Sequence, residues 1–490
     1  MAEAKAESIV ARIAERAREE PDAPVCVHVA EDGSERRHGW GELHRWSSRL
    51  AGALIERGVG LGDHVAIALR NSPELVVTVF AAWKAGATPI PVRWDLPDWE
   101  RQRVLEVVDP KVLVGAEDRA WVAATADDDG LDDPERPEVV SPQLHGICSS
   151  GSTGTPKVIV SAVPALFNPL YATPMLERWR RVPRPQTVLV LAPMYHVNAL
   201  VTLHNLLGGD RLVVLERFDA ARAVDVIERH RITTFTATPT MLQRIADLPG
   251  IGGRDLSSLQ WILQGAAPMP PSLVHRWIDL IGPEGIVMAY GMTEAIGTTA
   301  LDGVEWLDHR GSVGRGQNGT QIRILGPDGA DLPPGEVGEV FMRSRAHGGS
   351  TYLGEAPDMR CTEDGFRTAG DMGRLDDDGY LYIVDRRVDI VITGGANVFP
   401  AEVESALIDH PQIADVVVVG LRDPEWGRRV HAIVEASDPS SPPTADDVIA
   451  YAKARLAAYK VPKTVELVDR IPRSEATKVN RGRLVEARGG

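Results

Sequence analysis

Apolar residues recur with two different periods in this chain, and the switching between those periods carries most of the information about its fold. Residues 1–20, MAEAKAESIVARIAERAREE, interleave charges with apolar positions and predict an amphipathic helix. Helical spacing returns from Trp46 to Arg57, the turn GVGLGD follows, and VAIAL from Val65 reads as a buried strand. The helical ELVVTVFAAWKAG and the strand TPIPV come next. The rhythm recurs in RLVVLE from Arg211, the helix AARAVDVIERH and the strand ITTFTAT from Ile232. The most apolar stretch, from Val188, is broken by Pro193, His196, Asn198, His204 and Asn205. It predicts a strand, a loop and a helix, and not a membrane span. Strand–helix–strand alternation of this kind predicts an α/β fold with parallel sheets covered by helices. Ligands in such sheets bind at the loops beyond the carboxyl ends of the strands.

From about Gly303 the texture changes. Gly and Pro become dense, as in ILGPDGADLPPGEVGEV, with short apolar runs between turns. This predicts an antiparallel β-rich subdomain over about 303–385. After VDRRVD, α/β alternation resumes for roughly a hundred residues, enough for a small separate domain. The expected division is therefore 1–385 for a large N-terminal domain and 386–490 for a small C-terminal α+β domain.

Composition changes this picture little, and charge only by exclusion. With 490 residues the chain is too long for one ordinary core, which agrees with a two-domain reading. A net charge of −16 argues against nucleic-acid binding, which draws its affinity from Lys and Arg on phosphates. Cys26, Cys148 and Cys361 are too scattered for a disulfide framework or a metal-spaced pair, and with no apolar leader they fit a reducing, cytoplasmic location. One segment runs against the acidic trend. Tyr451 to Gly490 holds ten Lys or Arg against four Asp or Glu, and by itself reads as a solvated basic face.

The sharpest chemical signal is Ser149-Ser150-Gly151-Ser152-Thr153-Gly154-Thr155-Pro156-Lys157, directly before the strand-like VIV. A loop this rich in Gly and hydroxyls can turn backbone N–H and side-chain O–H groups into one concavity for phosphate oxygens, and the lysine adds full charge. It is not a Walker A loop, because Thr155 and Pro156 separate Gly154 from Lys157. A string of this composition alone would also suit a surface linker.

SSGSTGTPK resembles the phosphate-loop signature of the adenylate-forming superfamily, which includes acyl-CoA ligases, luciferases and adenylation domains. Further strings follow in the matching order: PMYH (193–196), QGAAP (264–268), YGMTE (290–294), RTAGD (367–371), YLYIVDRRVDIVITGGANVFPAEVE (380–404) and PRSEATKVNRGRL (472–484). The resemblance implies ATP-dependent activation of an acid as its adenylate, release of pyrophosphate, and transfer to the thiol of coenzyme A. It implies Mg²⁺, a small-molecule acid substrate and a C-terminal domain that moves as a cap. It assigns Tyr290 and Gly291 to the nucleotide, with Tyr290 packing on adenine, Thr293 to phosphate and Glu294 to Mg²⁺. Gly265, Ala266 and Ala267 border the adenine, where small side chains let a flat base approach. Asp371 is assigned to the ribose hydroxyls, Arg386 to the nucleotide near the hinge, and Lys478 to the carboxylate and phosphate during adenylation. His196 resembles a position lining the acyl tunnel, and Phe167, Tyr171 and Trp179 are the aromatics that follow the phosphate loop.

Three positions depart from the family's usual pattern. Thr477 precedes Lys478 where glycine is common, Val388 occupies the pivot position where Asp or Lys is common, and Thr238 stands where ligases often show Val or Pro. Four readings compete. The first is an acid–CoA ligase, and the second a stand-alone enzyme that loads a separate carrier protein, with homodimerisation compatible with either. The third diverts the adenylate to an amine or activates an unusual acid. The fourth is a nucleotide-binding relic acting as a partner protein, against which Lys157, Glu294, Asp371 and Lys478 all stand.

Overall fold

The computed structural model describes residues 7–131, 139–149, 157–172, 184–344, 349–354, 359–386, 389–393, 396–473 and 479–489. Its backbone is a nine-stranded sheet in the order Arg315–Gly316, Thr298–Asp302, Ile286–Gly291, Trp261–Gln264, Thr234–Ala237, Thr187–Val190, Arg211–Leu215, Pro24–Val29 and Glu35–Gly39. The six strands from Ile286–Gly291 to Pro24–Val29 are parallel, and antiparallel strands close both edges.

Side-chain alternation explains why these strands read as continuous apolar runs. Val188, Val190, Leu212 and Val214 enter the core on one face, with Trp40, Leu50 and Phe80. Leu189, Leu191, Val213 and Leu215 enter the core on the other, with Ile227, Leu242 and Trp277. A parallel sheet buried on both faces has no solvent side for polar residues to mark.

The helices begin and end where local chemistry allows. Ser8 accepts the Ala11 N–H at the head of Ile9–Glu19, which buries Ile9, Val10, Ile13 and Ala17 as the amphipathic spacing predicts. Ser72 caps Pro73–Ala85, proline takes the first turn where an N–H is not needed, and Gly86 at φ +82° ends the helix in the left-handed region.

A second parallel sheet, Thr88–Pro91, His64–Ile67 and Val112–Val114, lies beside an antiparallel one, Ser350–Leu353, Lys157–Ser161 and Gly146–Ser149. A Cβ on Gly146 would stand 2.9 Å from Ile90 Cγ1, so glycine lets the two sheets meet.

The Gly- and Pro-dense region forms an antiparallel sheet of Gln321–Leu325, Gly338–Arg343, Asp371–Leu375 and Leu381–Arg386. Its expected start near Gly303 differs from the structure, where Gly303–Asp308 is a helix. Asp302 accepts the Val304 and Glu305 N–H groups there, a capping box that starts the helix directly where the strand Thr298–Asp302 ends.

The last hundred residues build a separate small sheet. Ile413–Asp423 and Gly427–Ala436 form its long hairpin, flanked by Val391–Thr393, Ala396–Val398 and Thr464–Val468. One face packs Val416, Val418, Val430 and Ala432 on the helices Pro400–Leu407 and Ala445–Lys453, and the other packs Val417, Val419 and Ile433 on Ile471 and Leu484.

The basic tail segment is not simply a solvated face. Lys460, Arg473, Arg481 and Arg488 pair with Glu402, Asp415, Glu404 and Glu466. Three of those carboxylates lie before residue 451, which is why a window on the tail alone counts unbalanced charge. Among the described residues no helix is long and apolar enough to cross a membrane.

Candidate active site

Strand order brings the candidate segments to one edge. Thr187–Val190, Thr234–Ala237, Trp261–Gln264 and Ile286–Gly291 are consecutive parallel neighbours. The segments that leave their carboxyl ends carry, in the same order, His196, Thr238, Gly265–Ala267 and Thr293–Glu294. This is the edge at which such sheets bind ligands.

Gly265 to Ala267 form a shaped turn. Buried Gln264 donates from Nε2 to Gly265 O at 3.2 Å and Ala267 O at 2.6 Å, and Ala266 is held at φ +71°. An alanine in the left-handed region is a small strain that persists where surrounding bonds over-determine the backbone. A Cβ on Gly265 would lie 3.8 Å from Asn198 Nδ2, so this turn abuts the helix Val197–Leu200. His196 occupies the N-cap position of that helix, half-buried, with its ring 4.5 Å from that of Tyr195.

The loop before His196 is fixed from another quarter of the fold. Asn71 Nδ2 donates to Ala192 O at 3.0 Å and Leu215 O at 3.1 Å, while Asn71 Oδ1 accepts the Met194 N–H at 2.8 Å. Behind it, His28 Nε2 donates to Asn71 O at 3.1 Å. Burial, with the Arg36 charge, holds His28 below its ordinary pKa, so the ring is neutral.

YGMTE turns the last parallel strand into the antiparallel edge strand. Tyr290 pairs in register with Thr299 and Gly291 with Thr298, Thr293 and Glu294 are half-buried in the turn, and Ala295 sits at φ +52°. Tyr290 Oη donates to Asp371 Oδ2 at 2.5 Å across 81 residues of sequence, and Asp371 is only 5% exposed. Asp371 begins its strand opposite Arg386, whose side chain lies outside the description. Asp385, buried, accepts the Ala401 N–H at 2.9 Å in the first turn of Pro400–Leu407.

The other end of the hairpin meets the phosphate-loop region. Glu294 Oε1 accepts Tyr352 Oη at 3.1 Å and Glu294 O accepts Ser350 Oγ at 2.8 Å. Lys157 Nζ stands 5.5 Å from the centroid of the Tyr352 ring. Burial and the Glu294 carboxylate raise the Tyr352 phenol above its ordinary pKa, keeping it a donor. Ser149 and Lys157 are register partners on adjacent antiparallel strands. Ser150, Gly151, Ser152, Thr153, Gly154, Thr155, Val388, Thr477 and Lys478 lie outside the described residues, as does Trp179.

Sequence reasoning missed Gln264 as a clamp, and missed Asn71 and Tyr352 altogether. Gln264 stood inside a recognised string. Nothing in the sequence around the other two marks them, because the hydrogen-bond partners of their side chains are 58 to 144 residues away.

Fold and site together define an α/β protein in which the end of a parallel sheet meets a β-rich subdomain through the Tyr290–Asp371 hydrogen bond. The model described as AMP-binding enzyme matches residues 13–353, and that of the AMP-binding enzyme C-terminal domain matches 402–478. The chain belongs to the AMP-binding, adenylate-forming enzymes. It is 35% identical over 478 residues to the feruloyl-CoA synthase of Amycolatopsis sp, covering 91% of this chain and 94% of that one. It is 32% identical over 476 residues to the fatty acid–[acyl-carrier-protein] ligase of Streptomyces coeruleorubidus, covering 90% of each. Its fold is similar to the o-succinylbenzoate CoA synthetase of Bacillus subtilis, solved with its acyl-adenylate intermediate, at a TM-score of 0.82 and 27% identity over 96% of this chain and 97% of that one. That synthetase has also been solved with ATP and a magnesium ion.

Proposed function

We propose that this protein is an AMP-forming acid–coenzyme A ligase, with the cleft between Tyr290, Asp371 and the Ser149–Lys157 loop as its nucleotide site and a pivot at Asp385–Arg386. The observation that carries the reading is the Tyr290–Asp371 hydrogen bond. It joins an aromatic at the end of a parallel strand to a buried carboxylate of the β-rich subdomain, next to a turn of small residues. A carboxylate accepts about four hydrogen bonds, enough for vicinal ribose hydroxyls as well as the phenol.

The residues present fit magnesium carried with ATP. Among the described residues there is no cluster of three His, Cys, Asp or Glu to cage a metal. Mg²⁺ commonly takes one or two carboxylates and completes its octahedron with phosphate oxygens and water, and Glu294 beside Thr293 supplies such a hard-oxygen set. Bound there, it would neutralise charge on the phosphates.

In the first half-reaction a carboxylate oxygen of the acid bonds to the α-phosphorus and the bond to the leaving pyrophosphate breaks. In the second, the thiol sulfur of coenzyme A bonds to the acyl carbon and AMP departs. Both steps build charge on oxygen, so fixed cations and donors carry the catalysis. Lys157 and the loop N–H groups hold the β- and γ-phosphates, Thr293 contacts phosphate, and Lys478 reaches the attacking carboxylate. Gly265–Ala267 leave room for adenine, and His196 lines the acid's approach.

The test is pyrophosphate release from a panel of aryl and alkyl acids, first without thiol and then with coenzyme A. Acyl-CoA and AMP in the second arm support the ligase. Turnover only when a carrier protein with a free phosphopantetheine thiol replaces coenzyme A supports the second reading, which the carrier-protein ligase relative favours. No pyrophosphate from any acid refutes both.

A further inference from the structure

Tyr352 lies between the two charged groups of the candidate triphosphate site. It sits on the strand Ser350–Leu353, opposite Ile159 of Lys157–Ser161. Residues two apart on a strand share a face, so Lys157 is the diagonal neighbour of Tyr352 and within reach of a large side chain. The ammonium at 5.5 Å from the ring centroid is within cation–π range. Ser350, two residues before Tyr352 and on the same face, bonds the Glu294 backbone while Tyr352 bonds its carboxylate. Glu294 is thereby held at main chain and side chain by one short strand, beside the left-handed Ala295.

We propose that Tyr352 is a positioning residue for metal–nucleotide binding, its hydroxyl fixing the Glu294 carboxylate in the direction of the phosphates. A glutamate side chain has three torsions, and ordering them in advance removes an entropic cost that ligand binding would otherwise bear. The long strand-to-turn reach makes this an assembled device. It needs the antiparallel pairing of Ser350–Leu353 with Lys157–Ser161 to bring the phenol to the turn after Gly291. The inference rests on the ligase reading above only through the assignment of Glu294.

The experiment is calorimetric titration of the full-length protein with ATP, with and without Mg²⁺. Tyr352→Phe keeps the ring beside Lys157, so Mg-free ATP affinity stays within about twofold of wild type. The tightening produced by Mg²⁺ shrinks by about 3- to 10-fold, the range of one ordinary net hydrogen bond. In a Glu294→Gln background the same Phe substitution has no further effect, because the hydroxyl acts through that carboxylate. A normal wild-type response to Mg²⁺ with an unchanged Phe variant overturns the role of Tyr352 alone, as does an equal loss in both backgrounds. A wild-type protein whose ATP affinity ignores Mg²⁺ overturns the assignment of Glu294 and this role with it.

Discussion

Replacing Asn71 tests the connection between the first third of the chain and the loop that carries His196. The carboxamide is 4% exposed and makes three hydrogen bonds, two as donor to Ala192 O and Leu215 O and one as acceptor from Met194 N–H. Each such bond contributes about 1 kcal/mol net, and stranding a buried partner costs somewhat more. Asn71→Ala therefore costs about 3–4 kcal/mol. Asn71→Asp keeps the shape but turns an oxygen towards two carbonyls that now receive N–H groups, so at pH 7 it costs at least as much. Ten of the eleven tryptophans precede residue 385, so tryptophan fluorescence during urea unfolding follows the large domain. For a slope of about 3 kcal/mol per molar the midpoint falls by on the order of 1 M in both variants. In steady state the KM for the acid rises more than the KM for ATP, because the displaced backbone is that of residues 192–194. An Asp variant within about 1 kcal/mol of wild type would refute the hydrogen-bond account, since Asp keeps the volume and the acceptor for the Met194 N–H but loses both donated bonds.

Lys478→Ala cuts ATP–pyrophosphate exchange by about 10²–10³-fold, the loss of one strong transition-state donor; unaltered exchange defeats the assignment. Partial burial of Asp376 carries some electrostatic cost, but the Tyr380 N–H, His309 and the Tyr382 hydroxyl together hold its carboxyl below the usual range. A depressed folded value means stability that is present above about pH 4 and lost as pH falls through the folded value. Asp376→Asn therefore flattens the acid limb of a thermal-stability profile between about pH 5 and 2, and an unchanged limb rejects the contribution. Desolvation pushes the buried Cys26 and the partly buried Cys148 thiols up to about 12, whereas Cys361 is exposed. A disulfide reagent at pH 7.5 then titrates one thiol quickly in the native protein and three after unfolding; fast reaction of two or more contradicts the packing.

Local sequence determined a good deal of this protein. Ser72-Pro73 and Gly86 delimit their helix by capping chemistry that acts within a few residues, and alternating apolar runs set strands such as Arg211–Leu215. Recognition of ordered strings supplied the family, the cofactors and most candidate residues. Where the local signal misled, a neighbour at longer range was responsible. The basic tail looked solvated because Glu402, Glu404 and Asp415 lie outside it.

What the tertiary structure alone decided is which of those residues meet. Strand order is a long-range choice, and it placed four separate loops along one edge of the sheet. Tyr290 reaches Asp371, Tyr352 reaches Glu294, and Asn71 reaches Met194 over separations of 81, 58 and 123 residues. Periodicity reports only which face of an element is apolar; it carries no term for the distant partner that a buried polar side chain must find.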